Sequence, residues 1–109
     1  MMKNNNLVYE IECSNCPAKY IGETKQRLEK RIQQHSAAIR RNDSNHSGMS
    51  QHCLENLHNF SSNNITILRK NLPYYRSRQL IETVNIKKTR NNCNRDSGTV
   101  YSEIYNGLF

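Results

Sequence analysis

Polar and apolar positions alternate first at 7–12, "LVYEIE": Leu7, Tyr9 and Ile11 share one side, Val8, Glu10 and Glu12 the other. A period of two is the signature of a strand. "CSNCP" then supplies turn formers in Ser14, Asn15 and Pro17, and "AKYIG" resumes as a second short strand that pairs as a hairpin and ends at Gly22. The period then lengthens. Leu28, Ile32 and Ile39, with Ala37 and Ala38 between them, fall near helical spacing, and Thr24 is the candidate N-cap. "RRNDSNHSG" is a polar loop, after which Ser47 or Ser50 starts a shorter helix running through Leu57. "NNITILRKN" is a third strand. "PYYRSRQLIETVNIKK" is a second long helix, with Pro73 at its start and Leu80, Ile81 and Val84 as core positions. "TRNNCNRDSG" is a loop, and a short tail follows. The order β, β, α, short α, β, α predicts an α+β domain, a small three-stranded mixed or antiparallel sheet flanked by helices.

The chain has 109 residues, which suits one domain over 7–109 behind a flexible leader, "MMKNNN", over 1–6. Apolar residues make up 35% and Trp is absent, so the core is modest and a structural metal would add to stability. Sixteen Lys and Arg against nine Asp and Glu give a net charge of +7. That points to a polyanionic partner, nucleic acid before membrane. Arg27, Arg69, Lys70, Arg76 and Arg78 are candidates for holding a DNA backbone. No apolar run is long enough to cross a bilayer and no signal-peptide core follows the start. An intracellular, reducing setting is expected, where cysteines seldom form a disulfide framework.

Several residues invite chemistry. Tyr9 and Tyr20 on adjacent strands serve equally as core aromatics. Arg31 and His35 stand at i and i+4 and share a helix face. Glu82 lies among apolar neighbours in "LIETV", where an inward carboxylate needs a salt-bridge partner or a cation. Cys13-x-x-Cys16 fits a redox motif, half a disulfide or half a metal site.

Taken in order, "LVY", then "YIG", then "RLEKRIQQH", then a Glu in a later helix and an Asn in a late loop, the chain resembles the GIY-YIG nuclease domain over 7–96. The first signature reads "LVY" here, so its Gly is lost and Val replaces Ile, but Tyr9 is retained; Tyr20-Ile21-Gly22 is intact. The resemblance implies hydrolysis of DNA phosphodiester bonds with one divalent cation, Mg²⁺ or Mn²⁺, held by Glu82. It makes Tyr9 the general base, and Tyr20 positions water or phosphate. Arg31, with Arg27 the lesser candidate, donates to phosphate oxygens. His35 assists as proton acceptor or phosphate ligand, and Asn94 holds the scaffold. A phenol with a pKa of about 10 is a poor base, so Tyr9 needs a nearby cation to lower it.

One branch is more similar still. The endonuclease domain of Penelope-like retroelements has a Cys-x-x-Cys between the signatures, a helical stretch ending in two histidines and a late "NRD-G" loop. Here these read "CSNC", "SQHCLENLH" and "NCNRDSG". That resemblance implies a structural Zn²⁺ on Cys13, Cys16, His52 and His58, a reverse transcriptase as partner, and a nuclear site of action. Cys₂His₂ is a common tetrahedral zinc set. His52 and His58, six residues apart, meet only if the helix ends near Leu57. Cys53, His35 and His46 are competing ligands, and Cys93 reads as a small buried apolar residue. Rival readings are a zinc-dependent nucleic-acid-binding module without catalysis and a basic interaction domain without metal chemistry.

Overall fold

The computed structural model describes residues 4–94. Three strands, β1 (Leu7–Glu12), β2 (Lys19–Thr24) and β3 (Ile65–Arg69), form one sheet in the order β2-β1-β3, with both pairings antiparallel. Around it stand α1 (Leu28–Arg40), α2 (Gly48–Asn56) and α3 (Tyr75–Lys88), with a single 3₁₀ turn at Ser62–Asn64. This is the expected α+β domain.

The hairpin register pairs Tyr9 with Gly22 and Ile11 with Tyr20. Leu7, Tyr9, Ile11 and Tyr20 therefore share one face, and they build the core with Met49 and Cys53 of α2. Leu28, Ile32 and Ile39 of α1 close over it. Val8 and Ile21, on the opposite face, are also fully buried. Alternation alone leaves Val8 facing solvent. Because β1 is the central strand and α3 packs on β2 and β1, neither side of it is open.

Thr24 is not the N-cap of α1. It is the last residue of β2, and its Oγ1 accepts from the Gln26 N–H at 3.0 Å in a local hydroxyl-to-backbone turn. The helix starts at Leu28 with no side-chain cap, and the Leu28 N–H donates to the Asn4 carbonyl at 2.7 Å. A backbone group from the expected leader thus satisfies an orphan helix donor. Asn6, in the left-handed region at φ 52°, accepts from Leu72 N–H, so residues 4–6 are built into the fold. Of the two expected starts of α2, Ser47 is the cap, and it forms a reciprocal box with the other, Ser50.

α3 departs furthest from expectation. Leu80, Ile81 and Val84 are only half-buried, while Arg78 and Thr83 are the buried positions. Pro73 precedes the N-cap, Tyr74, instead of opening the helix. Arg78 is 4% exposed, so it is not on an open phosphate-binding face. Its Nε donates to the Glu23 carboxylate at 2.7 Å and its Nη1 to the Leu72 and Pro73 carbonyls. A basic residue read as a DNA contact is the clamp that docks α3 on β2. The late loop is described only to Asn94; "RDSG" and the tail lie outside the described residues.

Candidate active site and metal centre

The knuckle between β1 and β2 is fixed before any metal is considered. Cys13 N–H donates to Ala18 O, Ser14 N–H to Asn59 O, and Asn59 N–H to the Asn15 side chain, all at 2.8–2.9 Å. These bonds press the turn against the segment that follows α2. That helix ends at Leu57, whose φ of 56° and ψ of 41° are left-handed, and the His58 N–H then folds back onto the Cys53 carbonyl at 3.0 Å. The reversal brings His58 beside His52, which one continuous helix would not do.

Cys13, Cys16, His52 and His58 consequently present ligand atoms that all lie within 4.8 Å of one another. Cys16 Sγ is 3.3 Å from His52 Nε2, Cys13 Sγ is 3.5 Å from His58 Nδ1, and the two imidazole nitrogens are 3.3 Å apart. A tetrahedral zinc ion with ordinary bond lengths requires about 3.6 Å between sulfur and nitrogen and about 3.3 Å between nitrogens. The donor set and its spacing both fit, and the four residues are positioned to hold a metal. The competing ligands fall elsewhere. Cys53 is buried against Met49 with its thiol pushed up to about 11 by burial. His46 stacks edge-on against His35 with ring centroids 5.2 Å apart. Cys93 is half-buried against the core, its thiol pushed up to about 12.

A second constellation lies under the same hairpin. Tyr9 and Tyr20 have ring centroids 6.4 Å apart, and His35 stacks edge-on against both, at 6.1 and 5.3 Å. Tyr9 Oη is 2.8 Å from His35 Nε2, and His35 Nδ1 is 3.2 Å from Ser47 Oγ. Burial first, then the charges of Arg31 and His46, push His35 down to about 3. The ring is therefore neutral at pH 7, one nitrogen a donor and the other an acceptor. Sequence reasoning placed His35 near the site but missed Ser47, because nothing in the sequence marks a helix cap as a histidine partner.

Gly22 completes the packing around Tyr9. A Cβ there would lie 2.5 Å from Tyr9 Cζ and Oη, so the last residue of "YIG" is small because the Tyr9 ring lies on it. Asn94 clamps the outer edge of β2, donating to the Ile21 carbonyl at 2.6 Å and accepting from the Ile21 N–H at 2.9 Å. That is a scaffold contact beside Tyr20.

Arg31, half-buried, lies close enough to both tyrosine hydroxyls to favour their ionised forms. It does not prevail: burial raises Tyr9 well above the ordinary phenol range and pushes Tyr20 up to about 12. The expected lowering of Tyr9 is thus absent, since desolvation of a fully buried phenol outweighs one partly solvated guanidinium. Glu82, on α3, is close enough for its charge to act on both tyrosines, and Arg31 acts on it in turn. Burial, then repulsion by Glu23, pushes its carboxyl up to about 7, against the Glu23 backbone N–H and Arg31, which favour the anion. A carboxylate this poorly compensated is suited to hold a cation. Arg27, Arg69, Lys70 and Arg76 are exposed.

Two tyrosines and a histidine thus stack in one cluster under the hairpin, with an arginine and a poorly compensated carboxylate near enough to act on both phenols. The family model of the GIY-YIG catalytic domain matches residues 5–95, and the chain belongs to that nuclease family. No curated protein and no solved structure matches it. Among the described residues, no helix is long and apolar enough to cross a membrane.

Proposed function

We propose that this protein is a metal-dependent DNA endonuclease that nicks phosphodiester bonds, with Zn²⁺ as a structural ion on Cys13, Cys16, His52 and His58. The observation that carries the reading is the stacked cluster of Tyr9, Tyr20 and His35, with Arg31 and Glu82 near enough to act on both phenols.

Glu82 would hold Mg²⁺ or Mn²⁺, which supplies charge stabilisation to the phosphate and the leaving 3′ oxygen. Arg31 donates to the non-bridging oxygens in fork geometry. Tyr20 orients water or phosphate through its hydroxyl. Tyr9 acts as a relay. Its oxygen takes a proton from the attacking water while its own proton passes to His35 Nε2, 2.8 Å away. A protonated tyrosine thereby serves as general base without first becoming phenolate. The neutral imidazole accepts the proton, and the anionic substrate favours the imidazolium. Ser47 and Asn94 hold His35 and β2 in place.

The resemblance to Penelope-like elements supports a role in retroelement integration beside a reverse transcriptase, acting in the nucleus. Supercoiled plasmid incubated with wild type and with Glu82→Ala, with and without Mg²⁺ or Mn²⁺, tests the central claim. Nicking should require the cation and fall by at least about a hundred-fold in the variant, a loss of roughly 2.7 kcal/mol. Equal nicking by the two proteins overturns the assignment.

A further inference from the structure

The first turn of α3 carries the largest exposed aromatic surface among the described residues. Tyr74 is 74% exposed and Tyr75 57%. Neither contributes to the core, and a domain whose aromatic residues are only 7% of its chain leaves two of them side by side in water. Their setting is cationic. Arg76 follows directly, and Arg69 and Lys70 precede them at the end of β3, all exposed.

Tyr75 is also held in place. The Arg78 guanidinium lies 5.8 Å from its ring centroid, within cation–π range, and Arg78 is itself fixed by Glu23. One side of the ring is backed by a clamped cation while the residue stays more than half exposed. Tyr75, Arg78 and Glu82 stand at i, i+3 and i+7, a single stripe along the helix. Two turns separate Tyr75 from Glu82, about 10 Å along the axis. That is roughly three steps of a DNA strand at about 3.4 Å each.

We propose that Tyr74 and Tyr75 form a stacking platform for unpaired DNA bases a few nucleotides from the scissile phosphate. The domain would then engage DNA whose strands are locally separated in preference to a closed duplex. Every base has a π-face, so such a platform is tolerant of sequence. The flanking Arg69, Lys70 and Arg76 supply the complement to the strand's phosphates. The inference rests on the proposed function and on reading the exposed N-terminal end of α3 as lying along the DNA, but its test needs no cleavage.

Binding is measured without added divalent cation, by fluorescence anisotropy with a labelled oligothymidine and with a duplex of equal length. Tyr75→Ala should weaken single-strand binding about five- to a hundred-fold, the usual cost of losing an aromatic–base stack. Duplex binding should stay within about two-fold, and the salt dependence should keep its slope because no charge is removed. Tyr75→Phe should restore binding. Tyr74→Ala, at the more exposed position, should show the same selective loss and guards against misfolding of the first variant. Oligonucleotides carrying iodouracil should crosslink to Tyr74 or Tyr75. Equal losses on both DNAs, no loss on either, or crosslinks confined to other residues overturn the proposal. So does a wild-type dimer that Tyr74→Ala converts to monomer with DNA affinity unchanged, which would mark a contact between copies. Loss of nicking alone leaves these binding outcomes distinguishable from failure of the nuclease reading.

Discussion

The Tyr9 hydroxyl and the His35 imidazole are 2.8 Å apart, both fully buried and 26 residues apart in the chain. Their bond ties the central strand to α1, and Ser47 extends it to α2. One chain of hydrogen bonds thus connects the Tyr9 hydroxyl with the helix that carries His52.

A relay through His35 makes a specific demand on Ser47. Ser47→Ala removes the partner of His35 Nδ1 and the N-cap of α2 together. Loss of such a cap costs about 1 kcal/mol. Ser47→Asp keeps the cap and changes the imidazole's partner. We expect Ser47→Ala to lower kcat about ten-fold with KM for DNA little changed, and Ser47→Asp to recover stability while shifting the pH profile of kcat. Nicking kinetics across pH check this; kcat and pH profile unchanged in both variants would count against the relay.

The metal centre predicts a stability effect separable from catalysis. Zinc bound only by the folded state stabilises it by linkage. A strong chelator, or Cys16→Ala, should lower Tm by on the order of 10 °C or more, since each 1 kcal/mol moves a domain of this size by about 4–8 °C. Metal analysis should find near one zinc per chain. A calorimetric scan unchanged by chelation would remove the centre from the fold.

Glu82 gives a pH test with a definite sign. Its carboxyl is raised to about 7 in the folded state, against about 4.3 in an unfolded chain. The folded state binds the extra proton, so this stabilisation is complete below about pH 4 and is lost as pH rises through 7. Without added Mg²⁺ or Mn²⁺, Glu82→Gln should raise Tm by several degrees at pH 8 and by little at pH 4. Adding Mg²⁺ should stabilise wild type and not the variant. Melting curves at the two pH values decide it.

Gly22→Ala should be severe although Gly22 has an ordinary strand backbone. The added methyl meets the Tyr9 ring at 2.5 Å, and Tyr9 is fully buried with nowhere to retreat. We expect a destabilisation of about 1–3 kcal/mol and loss of nicking, measured by denaturant melts and plasmid assay. Leu57→Gly should do the reverse. Leu57 is 90% exposed and left-handed, a conformation glycine adopts without a Cβ penalty, so the variant should be as stable as wild type or more so.

Strand periodicity and the tyrosine, cysteine and histidine spacings carried much of this architecture in the sequence. Tyr9 and Tyr20 were legible as neighbours because a hairpin with a short turn must pair their strands. The helix break between His52 and His58 followed from the ligand set that the family resemblance implies, since residues six apart meet at one ion only if the helix ends between them. What escaped was set by contacts distant in sequence. Thr24 has the residue type of a cap, but its hydroxyl is used by Gln26, and Asn4 satisfies the helix instead. Arg78 has the type of a phosphate ligand, but Glu23 lies 55 residues away in sequence and 2.7 Å away in space. Leu80, Ile81 and Val84 look like core positions by type, yet α3 docks through a polar stripe.

The four residues positioned to hold a metal span 13–58, whereas Glu82 comes later in the chain. During synthesis, which proceeds from the N-terminus, the ligand set is complete once His58 has emerged. At that point Tyr9, Tyr20, Arg31 and His35 are also outside the ribosome, and Glu82 is still enclosed in its exit tunnel. A metal captured then closes the 45-residue separation between Cys13 and His58, removing loop entropy from the nascent chain. The hairpin can thus be pinned to α2 before β3 and α3 have emerged. Metal starvation would act as a defect of biogenesis, lowering the yield of folded chains without altering the turnover of those already made.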